Sequence, residues 1–132
     1  MSISPTRPAV AALRALLTGA GLTVQDGGDG DPVAPCVVLW PTPGQAQPAS
    51  LAEPVEWLDV DVTTVACGQT PDQAMWVADK VAATLTRATP TVAGRSVHPI
   101  WCVAASPVQR DDDLAAGLFF ASHLWRLTTA PA

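Results

Sequence analysis

Asp59 and Asp61 are the residues of this chain best spaced for chemistry. They lie two apart in a strand-like run and share a face with Trp57. Two carboxylates held close together are what general acid–base work requires. No His, Ser or Cys stands near them in the sequence to complete a site. A wet sheet face is the bland reading of the pair; the sharper one is that this face lines a channel or meets a partner. The acidic stretch with Asp26, Asp29 and Asp31 invites a calcium reading. It lacks the ligand spacing and closing Glu of an EF-hand loop, so a solvated turn suits it better. His98 and His123 stand alone on different strands, in no HxxxH or HExxH pattern. Ser96 and Ser106 are in no G-x-S-x-G setting, and the glycines form no phosphate loop. No catalytic residue, cofactor or metal is therefore assigned.

Cys36, Cys67 and Cys102 are far apart, odd in number and each inside a strand-like run. That pattern excludes a complete disulfide framework and offers no zinc spacing. It predicts buried, reduced thiols in a cytosolic protein. Arg110, Asp111, Asp112 and Asp113 form a dense charge run between apolar strands. Such a run is usually a solvated loop, and it is also the leading contact candidate in the chain. Five tryptophans without a tyrosine add to this. Trp57 lies on the wetter strand face and Trp76 at the edge of a helical stripe; an interface anchor and core packing are both open to either.

The element that positions these residues runs from 55 to 87. Leu58, Val60, Val62, Thr64 and Ala66 alternate with Trp57, Asp59, Asp61, Thr63 and Val65, the period of a strand with one face in a core. The pattern stops at Gly68. Thr70 then caps a helix, Pro71 suits its first turn, Gln73 reaches back, and Asp72 complements the dipole. Ala74, Val77, Ala78, Val81 and Leu85 recur on one face of that helix.

Upstream, Pro8 opens a helix with Val10, Leu13, Leu16, Leu17 and Ala20 as its stripe, and Gly19 and Gly21 end it. Residues 22–24 read as a short strand and 35–40 as a buried one. Residues 41–54, with four prolines, read as a long loop. Downstream, residues 91–97 resemble a hairpin turning at Gly94-Arg95. Residues 97–105 form a strand that Pro99 pushes toward an edge or a bulge, residues 107–114 a charged loop, and 118–128 a final strand. There are no internal repeats. This order predicts a single α+β domain over residues 1–132, with a largely antiparallel sheet packed by two helices.

Composition bounds the role. The chain has 132 residues, 48% of them hydrophobic, and a net charge of −5. It can bury a core, and its charge argues against a nucleic-acid binder that relies on neutralising phosphates. An acidic surface can still line a DNA passage, because repulsion prevents sticking. No run is long and apolar enough to serve as a leader or a span, which predicts a soluble protein with no membrane partner.

One ordered set of residues resembles a family. Pro90, Gly94-Arg95, Pro99-Ile100, then Ser106-Pro107-Val108-Gln109-Arg110-Asp111-Asp112-Asp113, Phe119-Phe120 and Trp125-Arg126-Leu127 are similar to the C-terminal half of tail terminator proteins from siphophages of actinobacteria. Leu58-Asp59-Val60-Asp61-Val62 and the later Pro71-Asp72 helix start also look like that family. The resemblance implies an α+β virion subunit in the tail and neck, assembled in the host cytoplasm. It implies a hexameric ring on the last ring of the tail tube, stopping tube growth and offering a surface to the head-to-tail connector. DNA would pass through without specific binding. Under this resemblance Trp57 and Arg110, Asp111, Asp112 and Asp113 are candidates for the subunit or partner interface, and Asp59 and Asp61 for the lumen. Another neck or head-completion protein, a tail tube subunit and a small host binding module are the alternatives.

Overall fold

The computed structural model describes residues 6–28, 30–48, 56–111 and 117–131. Among them two helices and eight strands follow in the order α1 (Thr6–Gly19), β1 (Val24–Asp26), β2 (Cys36–Pro41), β3 (Gln45–Pro48), β4 (Glu56–Gly68), α2 (Pro71–Leu85), β5 (Arg95–Val97), β6 (Trp101–Ala105), β7 (Gln109–Arg110) and β8 (Phe119–Pro131). The architecture is α+β, as the order of patterns predicts. All pairings are antiparallel except β1 with β2.

The sheet is built on β4 and β8, which lie side by side from Leu58 opposite Thr129 to Gly68 opposite Phe119. Each is 13 residues long, or about 43 Å. On the outer side of β4, β2 and β3 follow one another as a nearly continuous strand. On the outer side of β8, β5, β6 and β7 do the same. Each junction slips the pairing by one residue. Pro41 opposes Val62 but Gln45 opposes Asp59. Along β8, Val97 opposes Thr129, Trp101 opposes Arg126, Ala104 opposes Leu124 and Gln109 opposes Phe120. An extra residue at each slip bends the outer strand and increases its twist. Pro43, Pro99 and Pro107 stand at three of the four slips, where a missing N–H interrupts the ladder.

These strands correct three expectations. Residues 41–54 are not simply a loop, because β3 pairs within them; residues 49–54 lie outside the described residues. Residues 91–97 do not form a local hairpin. The tight turn at Gly94 is present, with Arg95 N donating to the Val92 carbonyl at 3.0 Å, but Val92 is buried and β5 pairs with the far end of β8. Residues 107–114 are not wholly a solvated loop, since β7 pairs with Phe119 and Phe120.

The helices cover one face of the sheet. Leu58, Val60, Val62, Thr64 and Ala66 of β4 are all buried, as their alternation predicts. Beside them on β8 lie Ala121, Trp125, Leu127 and Thr129. Ala74, Val77, Ala78, Val81 and Leu85 of α2 close over this layer, with Ala9, Leu13 and Leu17 of α1. The stripe of α1 is thus rotated toward Ala9; Val10 and Leu16 pack at its margin. Each fully buried Leu or Val contributes about 1.5–3 kcal/mol. The core's largest polar group is satisfied: Trp125 Nε1 donates to Thr64 Oγ1 at 2.9 Å.

Both helix ends are specified locally. In α2, Thr70 Oγ1 accepts from Gln73 N at 3.1 Å, and Gln73 Oε1 accepts from Gln69 N at 2.8 Å. The reciprocal bond therefore lands one residue before the cap. In α1, Leu22 N donates to the Leu17 carbonyl and Gly21 N to the Thr18 carbonyl, with Gly21 at φ 85°, a Schellman ending. Gly68 marks a different need. A Cβ there would sit 2.3 Å from Ala74 N, so only glycine lets α2 turn so closely out of β4.

Candidate functional site

The sheet face away from the helices holds the sequence's best chemical candidates. It follows from the pleat: if Leu58 to Ala66 point into the core, Trp57, Asp59, Asp61, Thr63 and Val65 point out. Register places Thr128 opposite Asp59 and Arg126 opposite Asp61. Thr128 Oγ1 donates to Asp59 Oδ1 at 2.7 Å. Arg126 donates from Nε to Asp61 Oδ1 at 2.9 Å and from Nη2 to Oδ2 at 3.1 Å. The Asp61 carboxylate raises the guanidinium's pKa further above its ordinary value, chiefly through these bonds.

Aromatic rings frame the pair. Arg126 lies 5.6 Å from the ring centre of Trp101 on β6, a cation–π distance. The Trp57 and His98 rings stand 4.5 Å apart. A cleft of about 140 Å³ bordered by Thr42, Pro43, Gln45, Asp59, Asp61 and Arg126 opens beside them. Chemically, this is a surface of fixed donors and acceptors. Asp61 has both oxygens bonded by a guanidinium, and Asp59 Oδ1 accepts from a hydroxyl.

The interface candidates are not brought together. Trp57 sits at one end of β4 and is 38% exposed. Arg110, exposed on β7, opposes Phe119, which opposes Gly68 at the other end. The two ends are eleven residue steps apart along β4, about 36 Å. Arg110 lies over Gly117, where a Cβ would meet its Nη2 at 3.2 Å. Asp111 is half-buried and donates its amide to the Leu118 carbonyl at 2.8 Å. Asp112 and Asp113 lie outside the described residues.

The remaining candidates are dispersed. Asp26 pairs with Arg14, the backbone carbonyl of Asp31 accepts from Gln25, and Asp29 lies outside the described residues. Among the described residues no group of three or more His, Cys, Asp or Glu is placed to hold a metal ion. His123 stacks on Trp125 at 5.4 Å, and burial lowers its pKa while Asp79 opposes the shift. Cys36 and Cys67 are buried as expected, but Cys102 is exposed on β6, an edge strand with exposure at all five positions. Trp76 is exposed beneath Lys80, which excludes it from the core of this subunit.

Sequence reasoning missed Arg126, Trp101 and Thr128 as members of the Asp59–Asp61 face. Leu124, Arg126 and Thr128 alternate on one side of the last strand, and that alternation was the available signal. Its partner strand was not.

The whole fold has a counterpart among solved structures. A chain in the virion of a native gene transfer agent (GTA) particle superposes with a TM-score of 0.62 over 91% of this chain and 92% of that one, at 17% identity. It is among 21 matching chains. At that identity the likeness establishes a shared fold. No family model and no curated protein matches the sequence. No helix among the described residues is long and apolar enough to cross a membrane.

Proposed function

We propose that this chain is a structural virion protein of a phage-like particle, and specifically a tail terminator. Six copies would form a ring on the last ring of the tail tube, arrest its growth and present a surface to the head-to-tail connector, with DNA passing through the centre. The observation that carries the reading is the near end-to-end match to a chain of the GTA virion. The sequence resemblance to tail terminators supports this position within the virion.

A closed ring of identical subunits needs a heterologous interface, in which two different patches meet. The sheet supplies separated surfaces of that kind. One is the β7 end of the sheet, where Arg110 and Asp111 lie. The other is the Trp57 end of the open face, about 36 Å away. Exposed strand edges pair readily with another chain. Asp59 and Asp61 are assigned to the lumen, where carboxylates repel DNA; Arg126 balances Asp61, so this repulsion would rest chiefly on Asp59.

Arg110→Glu tests the interface. Ring assembly on tail tubes, followed by native mass spectrometry and electron microscopy, should weaken at least tenfold while thermal stability stays unchanged. Intact rings at unchanged stability would remove Arg110 from the interface. A ring with Asp59 facing outward would remove the lumen assignment.

A further inference from the structure

Cys36 on β2 and Cys67 on β4 stand directly opposite each other, at 1% and 3% exposure. Opposed residues of a pleated pair leave the sheet on the same face, here the one away from the helices. The kind of pair follows from the neighbouring amides. Thr42 donates to the Asp61 carbonyl at 2.8 Å, whereas Val37 turns its amide to the Thr23 carbonyl of the other neighbour at 2.9 Å. Amides alternate in direction along a strand, so residues 36, 38, 40 and 42 all face β4. Cys36 and Cys67 therefore form a hydrogen-bonded pair, which holds Cα atoms about 5.5 Å apart. Disulfides most often span about 5.5–6 Å.

The surroundings suit reaction at these sulfurs. The pair forms a small cluster with Val38, packed by Ala34, Val65 and Phe120, separate from the main core. Cys67 also lines a cavity of about 250 Å³ with Val38, Trp40, Val65 and Phe120. That space admits a small solute without unfolding the sheet. Cys102 cannot take part. It opposes Trp125 on the far side of β8, whereas Phe120 of β8 opposes Cys67. The offset is two strand spacings across and about 16 Å along, well outside disulfide reach.

We propose that Cys36 and Cys67 are a redox-active dithiol that closes to a cross-strand disulfide when a small hydroperoxide enters the adjoining cavity. The Cys67 thiol donates to the Val65 carbonyl at 3.7 Å; polar interaction with Cys67 lowers the pKa of Cys36, and the same interaction, together with burial, raises that of Cys67. Cys67 borders the cavity and Cys36 stands directly across the ladder from it; of the two, Cys36 supplies the thiolate, the nucleophilic form. Its sulfur attacks one peroxide oxygen, the O–O bond breaks, and hydroxide leaves a sulfenic acid on Cys36. The Cys67 sulfur then displaces hydroxide from that sulfenic acid. The S–S bond forms, and the Cys67 proton departs with the hydroxide as water. Two thiols lose two electrons and two hydrogens, and one hydrogen peroxide becomes two waters. Both sulfurs belong to one subunit, so the reaction is independent of the proposed ring.

The test uses the full chain, reduced and then exposed to hydrogen peroxide in slight excess. After quenching and denaturation, a maleimide counts the remaining thiols by intact mass. Of the three cysteines, only one should be labelled, with a loss of about 2 Da and a peptide joining Cys36 to Cys67, all reversed by dithiothreitol. Cys102→Ser, at an exposed edge position, should lose both labels on oxidation. Cys36→Ser should form no internal disulfide. Persistent labelling of both buried thiols in the natural chain or in C102S would overturn the proposal. Sulfinic acid on either of them, or a disulfide that includes Cys102, would do the same.

Discussion

Asp61 and Arg126, 65 residues apart in sequence, meet through two hydrogen bonds across the paired strands β4 and β8. Their side chains are 25% and 33% exposed, so water screens the charges while the fork geometry remains favourable. A double-mutant cycle with Asp61→Asn and Arg126→Gln, read by urea unfolding, should give a coupling of about 0.5–1 kcal/mol. It should shrink at high salt. A coupling indistinguishable from zero at low salt would mean the pair does not tie the two strands together.

Trp125 and Thr64 carry more weight, because both are buried and the indole N–H donates to Thr64 Oγ1 at 2.9 Å. Trp125→Phe removes a donor and ring volume together. It should cost about 2–4 kcal/mol in urea unfolding. Thr64→Val leaves the indole N–H buried without its acceptor and should cost about 1–3 kcal/mol. A loss below 0.5 kcal/mol, roughly the noise of surface changes, would contradict this packing.

At Gly68 the expected sign is unambiguous. An added Cβ would collide with the backbone of Ala74 at 2.3 Å, and backbone at a helix start cannot swing aside as a side-chain tip can. Gly68→Ala should destabilise the chain by about 1–3 kcal/mol, as overpacking does. An unchanged thermal midpoint would show that α2 leaves β4 by a wider path.

His123 makes stability depend on pH in one direction. Burial lowers its folded pKa below the ordinary 6.5, so the unfolded chain binds a proton first as pH falls. Its contribution is therefore complete above pH 6.5 and is lost as pH drops toward and through the folded value. Denaturant midpoints should fall between pH 7.5 and pH 5, and His123→Gln should flatten that fall. A slope unaltered by the substitution would assign the acid sensitivity to other groups.

Much of this fold was legible in the sequence because two periodicities survive tertiary context. The alternation of Leu58 to Ala66 located both the central strand and its buried face, and Thr70, Pro71 and Gln73 located the start of α2. What failed depended on pairing. Arg95 to Val97 reads locally as half a hairpin, yet its partner is Thr129 to Pro131, chosen by the length of β8 rather than by the turn. Residues 45–48, with glutamines and a proline, carry no strand pattern, and pairing with the first turns of β4 makes them one. For the same reason Asp59 and Asp61 were legible as a pair of exposed carboxylates, but Arg126 was not legible as their neighbour. Register across 65 residues is fixed by the whole sheet.

The proposed capping of a tail tube is tested by mixing the purified full chain with tail tube subunits as they polymerise. Electron microscopy then records tube length and tube ends. A terminator gives tubes of arrested length with a six-fold ring at one end, whether or not the free chain is monomeric beforehand. Tubes that grow on unaltered, with neither end bearing a ring, would contradict it.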